Sequence, residues 1–158
     1  MEHRSITRAM GALALAAALG GCASPKPPPP PTQIDGRIEA AADLNPSVSK
    51  RPSPLVVRIY ELKSAAAFNA ADFVSMYQND QAQLGAELVA REELMLQPGQ
   101  RLPYAKTLAP ETRYLGVIAA YRDLERARWS AIAPVQPNKK QHVAIVLSDL
   151  AVSATVTP

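Results

Sequence analysis

Cysteine is nearly absent from this chain, with Cys22 the single example in 158 residues. No intramolecular disulfide and no thiolate metal cluster can form, so an apolar core must hold the fold. Histidine is almost as scarce. His3 lies at the start, and His142 sits beside Val143 in a β-branched stretch, which suits a strand position better than a general base. The chain has no glycine-rich phosphate loop and no nucleophile motif to support a Cys-His or Ser-His-Asp site. Glu92 and Glu93 are adjacent, so in a strand they point to opposite faces and cannot share a substrate. Aromatic residues make up 5% of the sequence. Trp129, Tyr114 and Tyr121 therefore read as large core pieces rather than as the lining of a ligand pocket. A dense field of one charge is lacking too, because Lys and Arg are interspersed with acids, which argues against a nucleic-acid backbone as partner. These gaps argue against an enzyme and predict no metal and no small-molecule substrate.

What is present starts with a leader. Arg4 and Arg8 precede an apolar stretch over residues 9–19 and then small residues, the order of a secretory signal. The apolar run is too short to span a bilayer as a stable helix. At its end Leu19-Gly20-Gly21-Cys22 resembles the bacterial lipobox, in which the cysteine thiol receives diacylglycerol before cleavage. An ordinary signal peptide with a chance cysteine is the alternative, but the sole cysteine stands where the motif requires it. The expected division is residues 1–21 as a removed signal peptide, 22–32 as an acylated cysteine with a linker, and 33–158 as one folded domain. The only cofactor-like group is then covalent: a diacylglycerol and an N-acyl chain on Cys22. Each buried methylene contributes ~0.8 kcal/mol, so two or three chains anchor durably. Ala23 follows the cysteine where an aspartate would mark inner-membrane retention, which points to the outer membrane with the folded domain in the periplasm. With Arg4, Arg8 and Glu2 set aside, 15 basic side chains face 13 acidic ones.

Pro25-Lys26 and the run over residues 27–31, all proline, cannot pack and favour polyproline II. At ~3.1 Å per residue the ten residues from Ala23 to Thr32 reach roughly 30 Å. Beyond it, residues 33–44 alternate strictly, with Ile34, Gly36, Ile38, Ala40, Ala42 and Leu44 on one side, which predicts a half-buried strand. Residues 45–54, with Pro46, Pro52 and Pro54, predict a loop. Leu55 to Tyr60 is β-branched and aromatic, a second strand. Asn69 with Asp72 resembles a capping arrangement before Phe73, so a short helical excursion follows strand two. Residues 84–96 fit either a helix or a strand, and only the last part, before the Pro98-Gly99 turn, favours a strand. Further strands are expected over 100–106, 113–121, 127–133, 141–147 and 150–156, a spacing that indicates a β-sandwich. The apolar positions are odd-numbered before Ser148-Asp149 and even-numbered after it, which predicts a bulge or a change of sheet there.

The segment Asp43-Leu44-Asn45-Pro46, then Arg51-Pro52-Ser53-Pro54-Leu55-Val56-Val57-Arg58-Ile59-Tyr60-Glu61-Leu62-Lys63, resembles the TssJ family, outer-membrane lipoproteins of type VI secretion. Also similar to that family are Phe68 with Ala71-Asp72-Phe73, Leu84-Gly85, Arg91-Glu92-Glu93 ahead of Pro98-Gly99, and Leu115 through Asp123 leading to Trp129. The likeness covers nearly all of residues 34–150. It implies a transthyretin-like sandwich of two antiparallel sheets with a short helical insertion after strand two. It also implies a structural role, anchoring a TssJ–TssL–TssM complex to the outer membrane, with the periplasmic C-terminal domain of TssM as direct partner. The family's contact loop corresponds here to Asn45, Pro46, Ser47, Val48, Ser49, Lys50, Arg51, Pro52 and Ser53. Prolines there reduce the entropy lost on docking, and Lys50 and Arg51 can steer an acidic patch. The competing reading is a periplasm-facing binding module or inhibitor on the same sandwich, since fold does not fix function.

Overall fold

The computed structural model describes residues 25–158. The expected signal peptide and the expected acylation at Cys22 lie outside the described residues. From Pro25 to Pro31 the chain is irregular and exposed, and it becomes fixed at the buried Thr32.

Eight strands follow: β1 (Gln33–Ala40), β2 (Leu55–Leu62), β3 (Leu88–Leu96), β4 (Arg101–Thr107), β5 (Tyr114–Ala119), β6 (Ser130–Pro134), β7 (Lys140–Leu147) and β8 (Val152–Thr157). They form two four-stranded sheets, ordered β4-β1-β7-β8 and β3-β2-β5-β6. Between β2 and β3 run helices α1 (Ala66–Ala70) and α2 (Phe73–Leu84) and a 3-10 turn, Gly85–Glu87. The sandwich with a helical insertion after strand two is the expected one, except that β1 and β7 pair in parallel. All other strand pairs are antiparallel.

Ile34, Ile38, Val57, Ile59, Leu115, Val117, Val143 and Ile145 fill the space between the sheets. Strand β2 is buried on both faces. Its Tyr60 and Leu62 join Phe68, Met76, Leu84 and Ile118 in a second apolar cluster between the outer sheet face and the helices. Trp129 packs against both clusters, and Tyr121 is buried in the first, so the core role expected of these aromatics holds. Two glycines are required by these contacts. A Cβ on Gly36 would lie 1.7 Å from the carbonyl oxygen of Val143, and one on Gly116 would lie 2.7 Å from the Phe68 ring.

Several expectations needed correction. Strand β1 ends at Ala40, not residue 44, because Leu44 N–H donates to the carbonyl of Ala41 and turns the chain, although Leu44 stays fully buried. Asp72 rather than Asn69 caps α2, its carboxylate accepting from the Ser75 N–H at 3.0 Å, while Asn69 lies within α1. Residues 84–96 use both options in succession, since α2 closes at Leu84 and β3 runs from Leu88. The change of facing near Ser148 is neither a bulge nor a change of sheet. Ser148 N–H donates to the Ala151 carbonyl, the chain reverses, and β8 pairs with β7 as Leu147 opposite Val152. Reversal alone exchanges odd for even positions on the buried face.

Candidate docking site

The loop from β1 to β2 is built to be stiff. Ser47 N–H donates to the Arg51 carbonyl at 2.8 Å, Lys50 N–H to the Ser47 carbonyl at 2.8 Å, and Arg51 N–H to Ser47 Oγ at 3.1 Å. A compact turn results, with Lys50 in the left-handed region at φ 58°. Ser53 N–H closes the base by donating to the Leu44 carbonyl at 2.9 Å.

Asn45 ties this loop to two others. It is only 3% exposed and holds φ 48°, a conformation that asparagine tolerates better than most residues. Its N–H donates to the Asp149 carbonyl in the β7–β8 turn, its Nδ2 donates to the Pro54 carbonyl at 2.9 Å, and its Oδ1 accepts the Arg122 N–H at 2.9 Å in the β5–β6 loop. Three connections at this end of the sandwich are thereby locked together.

The nine residues expected to meet a partner therefore divide. Asn45 and Ser53 are buried and committed to the loop's own scaffold, Pro46 and Ser47 are half-buried, and Val48, Ser49, Lys50, Arg51 and Pro52 are exposed. Val48 is fully exposed, which is unusual for a β-branched residue. Beside the loop opens a cleft of about 1120 Å³ whose other wall is formed by Arg122, Asp123, Leu124, Glu125, Arg126, Asp149 and Leu150. None of these seven residues is among the nine that the sequence singled out for contact. The missed signal is a charged run with a leucine at its centre between two strands.

Elsewhere charge is used internally. Asp80 of α2 is buried and accepts from Arg91 at 2.7 Å, the Tyr60 hydroxyl at 3.0 Å and Arg58 at 3.4 Å. Burial alone would raise its pKa, but Arg91, Tyr60 and Arg58 outweigh that and hold the carboxyl below the usual aspartate range. Arg58 also donates to Glu93 at 2.6 Å and lies over the Tyr77 ring, 4.5 Å from its centroid. Between the sheets, Glu61 meets Lys106 at 2.8 Å, Thr112 Oγ1 at 2.8 Å and the Ala109 N–H at 3.0 Å. Burial raises the Glu61 pKa, and these three partners more than reverse it. Glu92 points into the sandwich to accept from Tyr104, whereas Glu93 points out to Arg58, as adjacent strand positions must. Burial first, then the Glu92 carboxylate, pushes the Tyr104 phenol well above its ordinary value. His142 lies on the exposed face of β7. Among the described residues no group of three or more His, Cys, Asp or Glu side chains could hold a metal ion.

A braced loop beside an open cleft, with the buried charges consumed by one another, is the geometry of a rigid structural scaffold rather than of a catalytic centre. The type VI secretion lipoprotein family (VasD, EvfM, TssJ, VC_A0113) matches residues 32–150, and the chain belongs to it. This is a structural lipoprotein family, and the protein is not an enzyme. Its fold is similar to that of the type VI lipoprotein TssJ1 from Pseudomonas aeruginosa, at 40% identity and TM-score 0.78, covering 82% of this chain and 98% of that one. It is also similar to Lip from Serratia marcescens, a membrane-bound component of the type VI secretion system, at 25% identity and TM-score 0.72, covering 78% and 97%. A chain in a structure described as the TssM C-terminal domain from EAEC matches at 23% identity and TM-score 0.63, covering 80% and 98%. No curated protein matches. Among the described residues no helix is long and apolar enough to cross a membrane.

Proposed function

We propose that the protein is a lipid-anchored post of the type VI secretion membrane complex. Cys22, carrying a diacylglycerol and an N-acyl chain, holds it in the outer membrane. Residues 22–32 form the tether, and the domain over 33–158 stands in the periplasm. There the loop over residues 45–53 docks the periplasmic C-terminal domain of TssM within a TssJ–TssL–TssM assembly. Family membership and the fold match to the chain described with the TssM C-terminal domain support this reading.

The observation that carries it is the placement of tether and loop at opposite ends of β1. At one end Gln33 N–H donates to the Lys139 carbonyl and Thr32 Oγ1 accepts the Asn138 N–H, fixing the point where the tether joins. Eight residues of strand later, about 26 Å at ~3.3 Å per residue, the chain reaches the docking loop. A partner on that loop is held away from the lipid, and pulling on it loads β1, a central strand paired on both sides.

Size-exclusion chromatography of the detergent-solubilised lipoprotein with the cognate TssM C-terminal fragment tests the reading. Wild type should co-elute, and Val48→Asp should not, with thermal unfolding unchanged. Failure of the folded wild type to co-elute at micromolar concentrations would refute the docking role. For the anchor, Cys22→Ser should abolish outer-membrane fractionation, and mass spectrometry of the wild-type N-terminal peptide should find acyl chains on Cys22. An unmodified sulfur would refute the tether.

A further inference from the structure

We infer that the β5–β6 loop is the second wall of the docking cleft, and that the partner seats an apolar side chain between Val48 and Leu124 while an acidic group meets Arg122. This rests on the docking role proposed above and extends it to residues outside the β1–β2 loop.

Geometry comes first. Asn45 bonds the docking loop to the backbone of both Arg122 and Asp149, so the two walls are one rigid unit with the cleft between them. Docking to one wall brings the other into reach with no ordering of a mobile loop, which is where association free energy is usually lost. The β5–β6 loop is itself braced, since Asp123 accepts from Arg126 at 2.6 Å and Arg128 N–H donates to the Leu150 carbonyl at 2.8 Å.

The chemistry of the lining follows. Val48, Pro46, Leu124 and Leu150 supply apolar surface. Leu150 leans on the main core, but Leu124, half-buried, belongs to neither core cluster and so serves no packing role there. Among the described residues Arg126 is neutralised by Asp123, whereas Arg122, Lys50 and Arg51 make no ion pair. The lining carries both signs, Lys50 and Arg122 as well as Asp43, Glu125 and Asp149; within it the uncommitted Arg122, two residues from Leu124, fits a hydrophobic anchor with a neighbouring carboxylate. A flat, merely solvated loop would need neither the leucine nor the concavity.

The test is calorimetric titration of the full-length lipoprotein in detergent with the TssM C-terminal fragment, comparing Val48→Asp, Leu124→Asp and Arg122→Glu. All three should weaken binding at least about tenfold, the size expected when a central contact is lost. The Val48→Asp and Leu124→Asp effects should also be less than additive in the double variant, because both empty the same space. Circular dichroism melts guard against misfolding, and Arg122→Glu, at an exposed position, keeps the test decisive if Leu124→Asp unfolds. If Val48→Asp weakens binding while Leu124→Asp and Arg122→Glu bind like wild type, the second wall is refuted and the docking loop stands. If none of the three matters, the docking loop is refuted with it.

Discussion

Beneath α2, the side chains of Arg58, Arg91, Tyr60 and Asp80 satisfy one another, and the surface they leave needs nothing further. At the docking end the arrangement is reversed. There the backbone and the buried Asn45 provide the bonding, while Val48, Lys50, Arg51 and Arg122 keep their side chains in solvent. Both regions are rich in charge, so composition does not separate them. What does is whether each polar atom has its partner inside the chain: satisfied charge is scaffold, and uncommitted charge around a stiff apolar cleft is surface for another molecule.

The largest expected effect lies on the scaffold side. Asp80→Ala removes the common acceptor of two arginines and a tyrosine. Losing one member of a buried ion pair usually costs 3–5 kcal/mol, but the Arg91 side chain is 48% exposed and can be rehydrated, so about 2–3 kcal/mol is expected in urea unfolding. Affinity for the TssM fragment should not change, and a parallel loss of affinity would break the contrast. Acid probes the same region. Asp80 and Glu61 are both held below their ordinary values of 3.8 and 4.5, so their stabilisation is complete above those values. As pH falls below them the unfolded chain takes up protons first, and stability is lost progressively as each folded-state pKa is crossed. Unfolding midpoints measured between about pH 6 and pH 3 should therefore fall, and Asp80→Ala should show a shallower fall.

The intermediate effect belongs to the joint between the two regimes. Asn45→Ala removes two side-chain hydrogen bonds from a buried site and leaves alanine at φ 48°. A cost of about 2 kcal/mol is expected, from roughly 1 kcal/mol for each of the two bonds, the left-handed backbone being already present with asparagine. Unlike Asp80→Ala, it should also weaken partner binding, because the loop and the second wall lose their common tie. Stability loss with unaltered affinity would mean that the cleft does not depend on preorganisation.

How much of this was readable in the chain follows from the range of each signal. Alternation placed β1 and β7, because side chains with a period of two need only local sequence to declare a buried face, and β-branched composition placed β2. The loop over 45–54 was legible from its prolines. The parallel pairing of β1 with β7 was not, since it joins residues about a hundred positions apart and leaves no local mark. Ser148 was misjudged for a related reason, as a change of facing looks the same for a bulge, a change of sheet and a tight reversal. Within the candidate site the sequence singled out a segment but treated its nine residues alike. Asn45 resembles its exposed neighbours in polarity, and only the fold reveals that its amide is spent on Pro54 and Arg122. Leu124 was passed over because a leucine between charges in a turn has no periodicity to mark it.

The smallest expected effect tests whether the loop acts through its shape or its charge. Lys50 holds φ 58°, where a side chain is disfavoured by about 1 kcal/mol, so Lys50→Gly relieves strain. Glycine also enlarges the unfolded ensemble, by about 0.4–1 kcal/mol, and the two terms nearly cancel. The unfolding midpoint should stay within the equivalent of about 0.5 kcal/mol of wild type. Lys50→Ala keeps the strain and loses the same charge. If Lys50 acts by steering an acidic partner, both variants should lower the association rate by a similar factor, about two- to threefold, and flatten its salt dependence. If Lys50→Gly instead loses far more affinity than Lys50→Ala, the turn's stiffness matters and the charge is incidental. In that event the docking end would be distinguished from the α2 layer by preorganised shape alone.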